Sequence, residues 1–318
     1  MLSRRDFVNG TIGAGLALAA QGCSARTQRA EAQAGTSTRK RTIVDAQVHL
    51  WKAESPDWPW VPGSTPQLPE PFTIEKLVPL MDEAGVDRVV VVPPSWPGDR
   101  NDYGLEAAQR YPGRLAVMGR ISLEKPESAA RLPKWKEQPG MLGVRLTLHR
   151  AQSKLLEGGT ADWFWPAAEK AGLPVMFLAP GNTPKFAPIA ERHPRLPLII
   201  DHMNLTLEIA KDRTIRQAID EVTALAKYPN VSVKLSSAPT YSLEPYPWRD
   251  MTEHLKRCFD AFGPRRCYWG TDITNAFTKS TYRQRITHFT EELSFLSEED
   301  KDWVMGRAIM ARLGWEKV

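Results

Sequence analysis

From Thr42 onward, short apolar runs alternate with longer stretches of helical periodicity. The runs lie at 43–50, 88–92, 115–121, 142–148, 174–178, 196–200, 231–235 and 267–270. Several are continuously apolar, the pattern of strands buried on both faces of a parallel sheet. The stretches 75–84, 104–111, 161–171, 209–228 and 251–262 read as the intervening helices. Turn residues punctuate the joins, as in Tyr111-Pro112-Gly113 and Phe262-Gly263-Pro264. Eight such units over about 270 residues predict one α/β domain at 42–318, a (β/α)8 TIM-type barrel, whose usual length is about 250 residues. A doubly wound open sheet is the competing architecture. It offers no ring of polar strand ends, and this chain has one.

The first 41 residues break the alternation. Ser3-Arg4-Arg5-Asp6-Phe7 precedes a weakly apolar run of small residues at 11–20. Paired arginines before a mild apolar segment are similar to a twin-arginine export signal. Ala32-Gln33-Ala34 offers a cleavage site, giving a signal at 1–34 and a linker at 35–41. The expected location is the periplasm or beyond, with the twin-arginine machinery as a partner. Ala20-Gln21-Gly22-Cys23 is a weak lipid-attachment pattern, and its alanine, where leucine is usual, favours a soluble product over an anchor at Cys23. No apolar run reaches the roughly 18 residues that span a bilayer.

Composition narrows the partners. The formal net charge is +5, and residues 1–34 carry four basic and two acidic side chains, so the remainder stands at +3. That is too weak a surplus for a dedicated nucleic-acid binder, and a small-molecule substrate is expected instead. Three cysteines do not make a disulfide scaffold. Cys258 and Cys267 are expected as buried thiols.

The chemistry gathers at the strand ends, which converge in a barrel. The first reads Asp45-Ala-Gln47-Val-His49, and alternation places the three polar residues on one face. The fourth reads Gly143-Val-Arg145-Leu-Thr147-Leu-His149, and the sixth ends at Asp201-His202. The seventh carries Lys234 and Ser236, and the eighth ends Gly270-Thr271-Asp272. Burying so many polar groups is costly unless they serve chemistry or one another.

D-A-Q-V-H, G-V-R-L, D-H-M-N, V-K-L-S and G-T-D, in this order, resemble the amidohydrolase superfamily, amidohydrolase-2 type. The nearest branch holds lactonases related to 2-pyrone-4,6-dicarboxylate hydrolase and to sugar-acid and muconolactone hydrolases. The resemblance implies a (β/α)8 barrel that hydrolyses a C–O bond, with a catalytic aspartate matching Asp272 and a histidine matching His202. Two departures bear on metal binding. The first histidine of the superfamily's H-x-H is Gln47 here, and the fifth strand, Val175 to Ala179, ends without a histidine. His49, His202 and Asp272 remain, a set that could just hold one zinc or manganese ion. Glutamine is a poor ligand, so the depleted set favours a site without a cofactor, as in the pyrone branch.

On this reading Asp272 is the general base, its pKa raised by burial and opposed by Arg145. His202 and His49 orient the water or donate to the carbonyl. Arg145 and Lys234 neutralise developing charge or hold a substrate carboxylate, and Gln47 adds a neutral donor. His149 shares a strand face with Arg145. Trp60, in the tryptophan-rich loop 51–60, serves either in a lid contacting the substrate ring or as a rim anchor. A purely structural role would pair Lys234 with Asp45 and leave Asp201 as a supporting partner. His193, His254 and His288 are expected at the surface. The competing functions are a metal-dependent hydrolase or decarboxylase of the same superfamily, and a non-catalytic binding protein on a degenerate barrel.

Overall fold

The computed structural model describes residues 40–315. The segment read as an export signal, Cys23, and residues 35–39 of the linker lie outside the described residues. Eight parallel strands follow one another around a sheet in sequence order. They are β1 (Val44–Val48), β2 (Arg88–Val91), β3 (Leu115–Gly119), β4 (Met141–Thr147), β5 (Val175–Leu178), β6 (Leu198–Ile200), β7 (Val231–Lys234) and β8 (Cys267–Tyr268). The seam between β8 and β1 is bridged by backbone bonds, Ala46 N–H to the Trp269 carbonyl at 3.2 Å and Asp272 N–H to the Gln47 carbonyl at 2.8 Å. Gly270 permits this approach: a Cβ there would lie 3.2 Å from the Gln47 nitrogen and 3.3 Å from that of Ala46.

Alternate residues along the strands divide the core in two. Val89, Val91, Val117, Val144, Leu146, Phe177, Leu198 and Val233 join the large cluster under the surrounding helices. Val44, Ala46, Val90, Val92, Ala116, Met118, Met176, Ile199 and Tyr268 form a second cluster, capped by Ile309, Leu313 and Trp315. This second set fills the barrel interior toward the N-terminal strand ends. The helix Ile74–Ala84 illustrates the outer layer. Ile74, Leu77, Met81 and Ala84 are its buried positions, one stripe of a 3.6-residue repeat. The helix stops at Gly85, which takes φ 78°, and Val86 N–H closes back onto the Met81 carbonyl at 2.8 Å.

Three expectations need correcting here. The helix expected at 209–228 is divided into Leu207–Lys211 and Ile215–Ala224, with Arg213 at φ 57° between them. The helical runs over 282–292 and 298–313, each containing a π-helical turn, were not anticipated. His288 is not a surface residue. It is 1 % exposed and packs edge-on against Trp248, 5.0 Å between ring centroids. His193 is partly covered and lies 3.4 Å from Glu169, and His254 is half-buried. Cys258 and Cys267 are buried thiols. Among the described residues no helix is long and apolar enough to cross a membrane.

Candidate active site

The C-terminal strand ends surround a cavity of about 290 Å³, a size suited to a small organic molecule. Its walls include His49, Arg145, Thr147, His149, His202, Tyr241 and Asp272. Five of the eight residues expected at the site therefore meet there: His49, Arg145, His149, His202 and Asp272. Gln47 and Lys234 lie beneath this floor, both wholly buried. Trp60 does not reach the cavity, whose tryptophan is Trp96, from the segment after β2. Trp96 stacks edge-on against Trp51, 5.0 Å between centroids. The indole of Trp58 is within 3.4 Å of Asp102. The loop after β1 is thus an anchored rim.

A bulge in β1 decides which side chains face inward. The pairing with β2 shifts register between Asp45 and Val48, which uncouples Asp45 from Gln47. Asp45 therefore does not share a face with Gln47 and His49, contrary to simple alternation. Its carboxylate accepts from the Thr271 N–H at 2.8 Å, the Thr271 hydroxyl and the Tyr282 hydroxyl at 2.7 Å, bracing β8 against β1. Gln47 turns inward, and its Oε1 accepts from Lys234 Nζ at 2.6 Å. Lys234 also pairs with Asp201 at 2.9 Å, not with Asp45. The other oxygen of Asp201 accepts from Arg145 Nε at 3.0 Å. This chain of charges pairs the costly buried groups with one another.

Three of the site's loops start in strained backbone. His202, Met203 and Asn204 are consecutive left-handed residues with φ near 51–55°, Ser237 has φ 63° and Asp272 has φ 47°. Each non-glycine residue in this region costs on the order of 1–2 kcal/mol. Neighbouring bonds hold the conformation: Asn204 Oδ1 accepts from Ala179 N–H at 2.9 Å, and Asp272 N–H donates to Gln47. The turns deliver His202 and Asp272 to one point.

Asp272 stands at the centre. Its Oδ1 lies 3.4 Å from His49 Nε2, and its Oδ2 lies 3.6 Å from His202 Nε2. The Ser237 hydroxyl donates to Oδ2 at 3.1 Å, while Oδ1 is buried with no hydrogen-bond partner. His49 Nδ1 is 2.6 Å from the Val92 carbonyl, which can only accept, so Nδ1 bears the proton. His202 Nδ1 is held by Ser236 at 2.7 Å and Ser237 at 3.1 Å.

The titration behaviour differs from expectation. Burial pushes the Asp272 carboxyl up, but His202, His49, the Ser237 hydroxyl and Arg285 together bring it below the ordinary value. Sequence reasoning missed Arg285 and Ser237. Both lie in segments whose approach to the site depends on chain reversals that periodicity does not reveal. Desolvation lowers His202 to about 4 and also lowers His49 and, to about 4, His149. At neutral pH the site therefore holds neutral imidazoles around an ionised carboxylate. Burial lifts Tyr241 well above 10, which keeps its phenol a proton donor.

The residues offer a metal ion a depleted set of ligands. Among the described residues, no three of His, Cys, Asp and Glu converge as ligands. His49 and His202 address opposite oxygens of Asp272. The carbonyl of Gln47, which could ligate, is taken by the Lys234 ammonium, and its remaining end is an NH₂ donor.

On the other wall, Thr147 Oγ1 accepts from both Arg145 and Arg120, the latter at 3.2 Å. Each arginine directs its Nε toward a carboxylate, Asp201 at 3.0 Å and Asp99 at 3.6 Å. Their Nη2 groups make no protein bond among the described residues. Arg120 is not among the residues lining the cavity; it borders an adjoining depression that Arg145 and Thr147 also line.

A family model for amidohydrolases matches residues 44–311. The chain belongs to the amidohydrolase family. As an amidohydrolase it is a hydrolytic enzyme, built on a TIM-type barrel. It is 28% identical over 239 residues to an L-fucono-1,5-lactonase of Burkholderia ambifaria, covering 72% of this chain and 79% of that one. It is 26% identical over 258 residues to an L-fucono-1,5-lactonase of Burkholderia multivorans, covering 75% and 84%. Among solved structures, a Burkholderia multivorans amidohydrolase with bound zinc superposes with a TM-score of 0.73 at 21% identity, over 86% of this chain and 99% of that one. A probable 2-pyrone-4,6-dicarboxylic acid hydrolase of Acinetobacter baumannii, with citric acid bound, gives 0.68 at 19% identity, over 86% and 99%. At such identities these structures speak for the fold.

Proposed function

We propose that this amidohydrolase is a lactonase that opens a small cyclic ester by direct attack of water, without a metal ion. One observation carries the reading: the partnerless Asp272 Oδ1 faces an acceptor nitrogen of His49 across 3.4 Å at the cavity floor. Two acceptors aimed at one point suit a molecule with two protons to donate. A water there places its lone pair toward the substrate. Asp272 takes one proton as the water oxygen bonds to the lactone carbonyl carbon, and His49 orients the second. Tyr241 and the Arg145 guanidinium line the cavity as donors for the developing oxyanion. Collapse breaks the ring C–O bond, and the proton on Asp272 returns to the departing alkoxide. The product is a hydroxy acid. The unclaimed Nη2 group of Arg145 suits a carboxylate or a hydroxyl on the ring. The names of the curated relatives support the lactone class.

Residues 1–34 are proposed as a twin-arginine signal that exports the barrel domain at 42–318 to the periplasm. Cell fractionation of the wild type and an Arg4→Lys/Arg5→Lys variant tests this, and an unchanged distribution would overturn it.

Proton release from sugar-acid and carboxylated lactones, with chelator-stripped protein, tests the activity. Turnover by the stripped enzyme is expected. Silence that added zinc or manganese reverses would replace the Asp272-only mechanism with a metal-assisted one. Silence under both conditions would sink the lactonase reading.

A further inference from the structure

The pair beneath the cavity floor does more than neutralise buried charge. Gln47 has chemically distinct ends, one that only accepts and one that only donates. The Lys234 ammonium offers only donors, so at 2.6 Å it must face Oε1. Lys234 is itself immobilised by Asp201 at 2.9 Å, in a position with no solvent exposure. The amide is therefore locked with Nε2 pointing the other way, and the atom there is His49 Nε2, at 3.4 Å. The far side of the imidazole is tied at 2.6 Å to the Val92 carbonyl. Both ring nitrogens are thus specified from outside, Nδ1 as donor and Nε2 as acceptor.

We infer that Lys234 and Gln47 are positioning residues that hold His49 in the Nδ1–H form, so that its Nε2, which accepts weakly from the Gln47 amide at 3.4 Å, carries no proton toward Asp272 Oδ1. With the other tautomer, His49 Nε2–H would donate straight to Asp272 and close the 3.4 Å gap. It would also press its proton against the Gln47 amide hydrogens and strip the Val92 bond. The site proposed for water would then be filled by a hydrogen bond within the protein. The ammonium acts at a distance of two side chains, through the orientation of one amide. This inference rests on the proposed hydrolysis only for its kinetic consequence, since the tautomer is a property of the resting protein.

Two variants separate the amide's orientation from its bulk. Gln47→Glu still accepts from Lys234 but presents a second acceptor to His49. Gln47→Met keeps the length and presents neither donor nor acceptor. Ring-nitrogen NMR of ¹⁵N-histidine-labelled protein, assigned with a His49→Gln control and recorded on chelator-stripped samples at neutral pH, reads the tautomer directly. The wild type is expected to show His49 protonated at Nδ1 and bare at Nε2. Gln47→Glu is expected to carry a proton on Nε2, and Gln47→Met to show a mixture. For a lactone that is turned over, Gln47→Glu should lower kcat about 100-fold, the size of a misplaced proton acceptor, with KM within about twofold and Gln47→Met intermediate. A bare Nε2 in Gln47→Glu would overturn the inference, as would a loss confined to KM. If no lactone is hydrolysed while the NMR pattern holds, the proposed function fails and the clamp stands. If hydrolysis occurs and the tautomer ignores residue 47, the clamp fails alone.

Discussion

The two ends of the barrel interior are built from the same strands and opposite kinds of residue. Toward the N-terminal ends, Val90, Ala116, Met118, Met176, Ile199 and Tyr268 interlock under Leu313 and Trp315. Toward the C-terminal ends stand Gln47, Arg145, Asp201, Lys234 and Asp272, all 5 % exposed or less. The first group is stabilised by removing apolar surface from water. The second is held by reciprocal ion pairs and hydrogen bonds that do little more than repay desolvation. Only the second end carries left-handed non-glycine residues at His202, Ser237 and Asp272. Stability is concentrated at one end of the barrel and strain at the other, and the cavity opens at the strained end.

That contrast can be broken by substitution. The largest effect is expected at Asp272. Asp272→Asn should reduce kcat about 10³-fold through loss of the proton acceptor, while the melting temperature holds or rises because a buried charge is removed. Steady-state kinetics beside calorimetry checks both halves, and near-normal kcat would remove Asp272 from the mechanism. Next, Lys234→Met leaves Asp201 with Arg145 alone and should cost about 3–5 kcal/mol in urea unfolding. At the opposite end, Ile199→Ala should cost about 2–5 kcal/mol as an unfilled cavity, with kcat untouched. An Ile199→Ala variant that folds normally but turns over slowly would erase the division between the ends.

A gentler effect comes from pH. His202 and His288 are depressed by burial from 6.5 to about 4. The unfolded chain binds more protons than the native one between those values, so their contribution is complete above pH 6.5 and is lost as pH falls toward 4. The melting temperature should decline over that window. His288 packs outside the cavity, so His288→Phe should flatten part of the decline without changing KM. The smallest effect concerns the rim: Trp60→Phe should leave kcat and KM unchanged within error, whereas a raised KM would return Trp60 to the substrate.

Much of this comparison was legible in the residues. Continuous apolar runs marked strands covered on both sides, and the polar residue closing each run marked the end where chemistry gathers. His49, Arg145, His149, His202 and Asp272 were found in this way. Trp60 was left between a lid and a rim anchor because a tryptophan that packs under a rim and one that covers a substrate look alike in sequence. Lys234 was matched to Asp45 because alternation carries no record of the β1 bulge. The pKa of Asp272 was expected to rise because burial is visible in an apolar context, whereas the lowering by His202 and His49, joined by the Ser237 hydroxyl and the Arg285 guanidinium, depends on how closely the folded chain brings them.

The sequence by itself determined the alternation of strand and helix, and through it the barrel and the end at which its polar residues collect. These follow from periodicity and local turn chemistry, which act over a few residues. Only the tertiary structure decided which carboxylate meets which cation, which histidine nitrogen is bare, and that Gln47 turns its amide toward His49. Those outcomes depend on a one-residue slip in β1 and on contacts between strands nearly 190 residues apart, as between Gln47 and Lys234, 187 positions away. Hydrogen bonding is directional on the scale of an ångström, and the chain must close on itself before that direction exists.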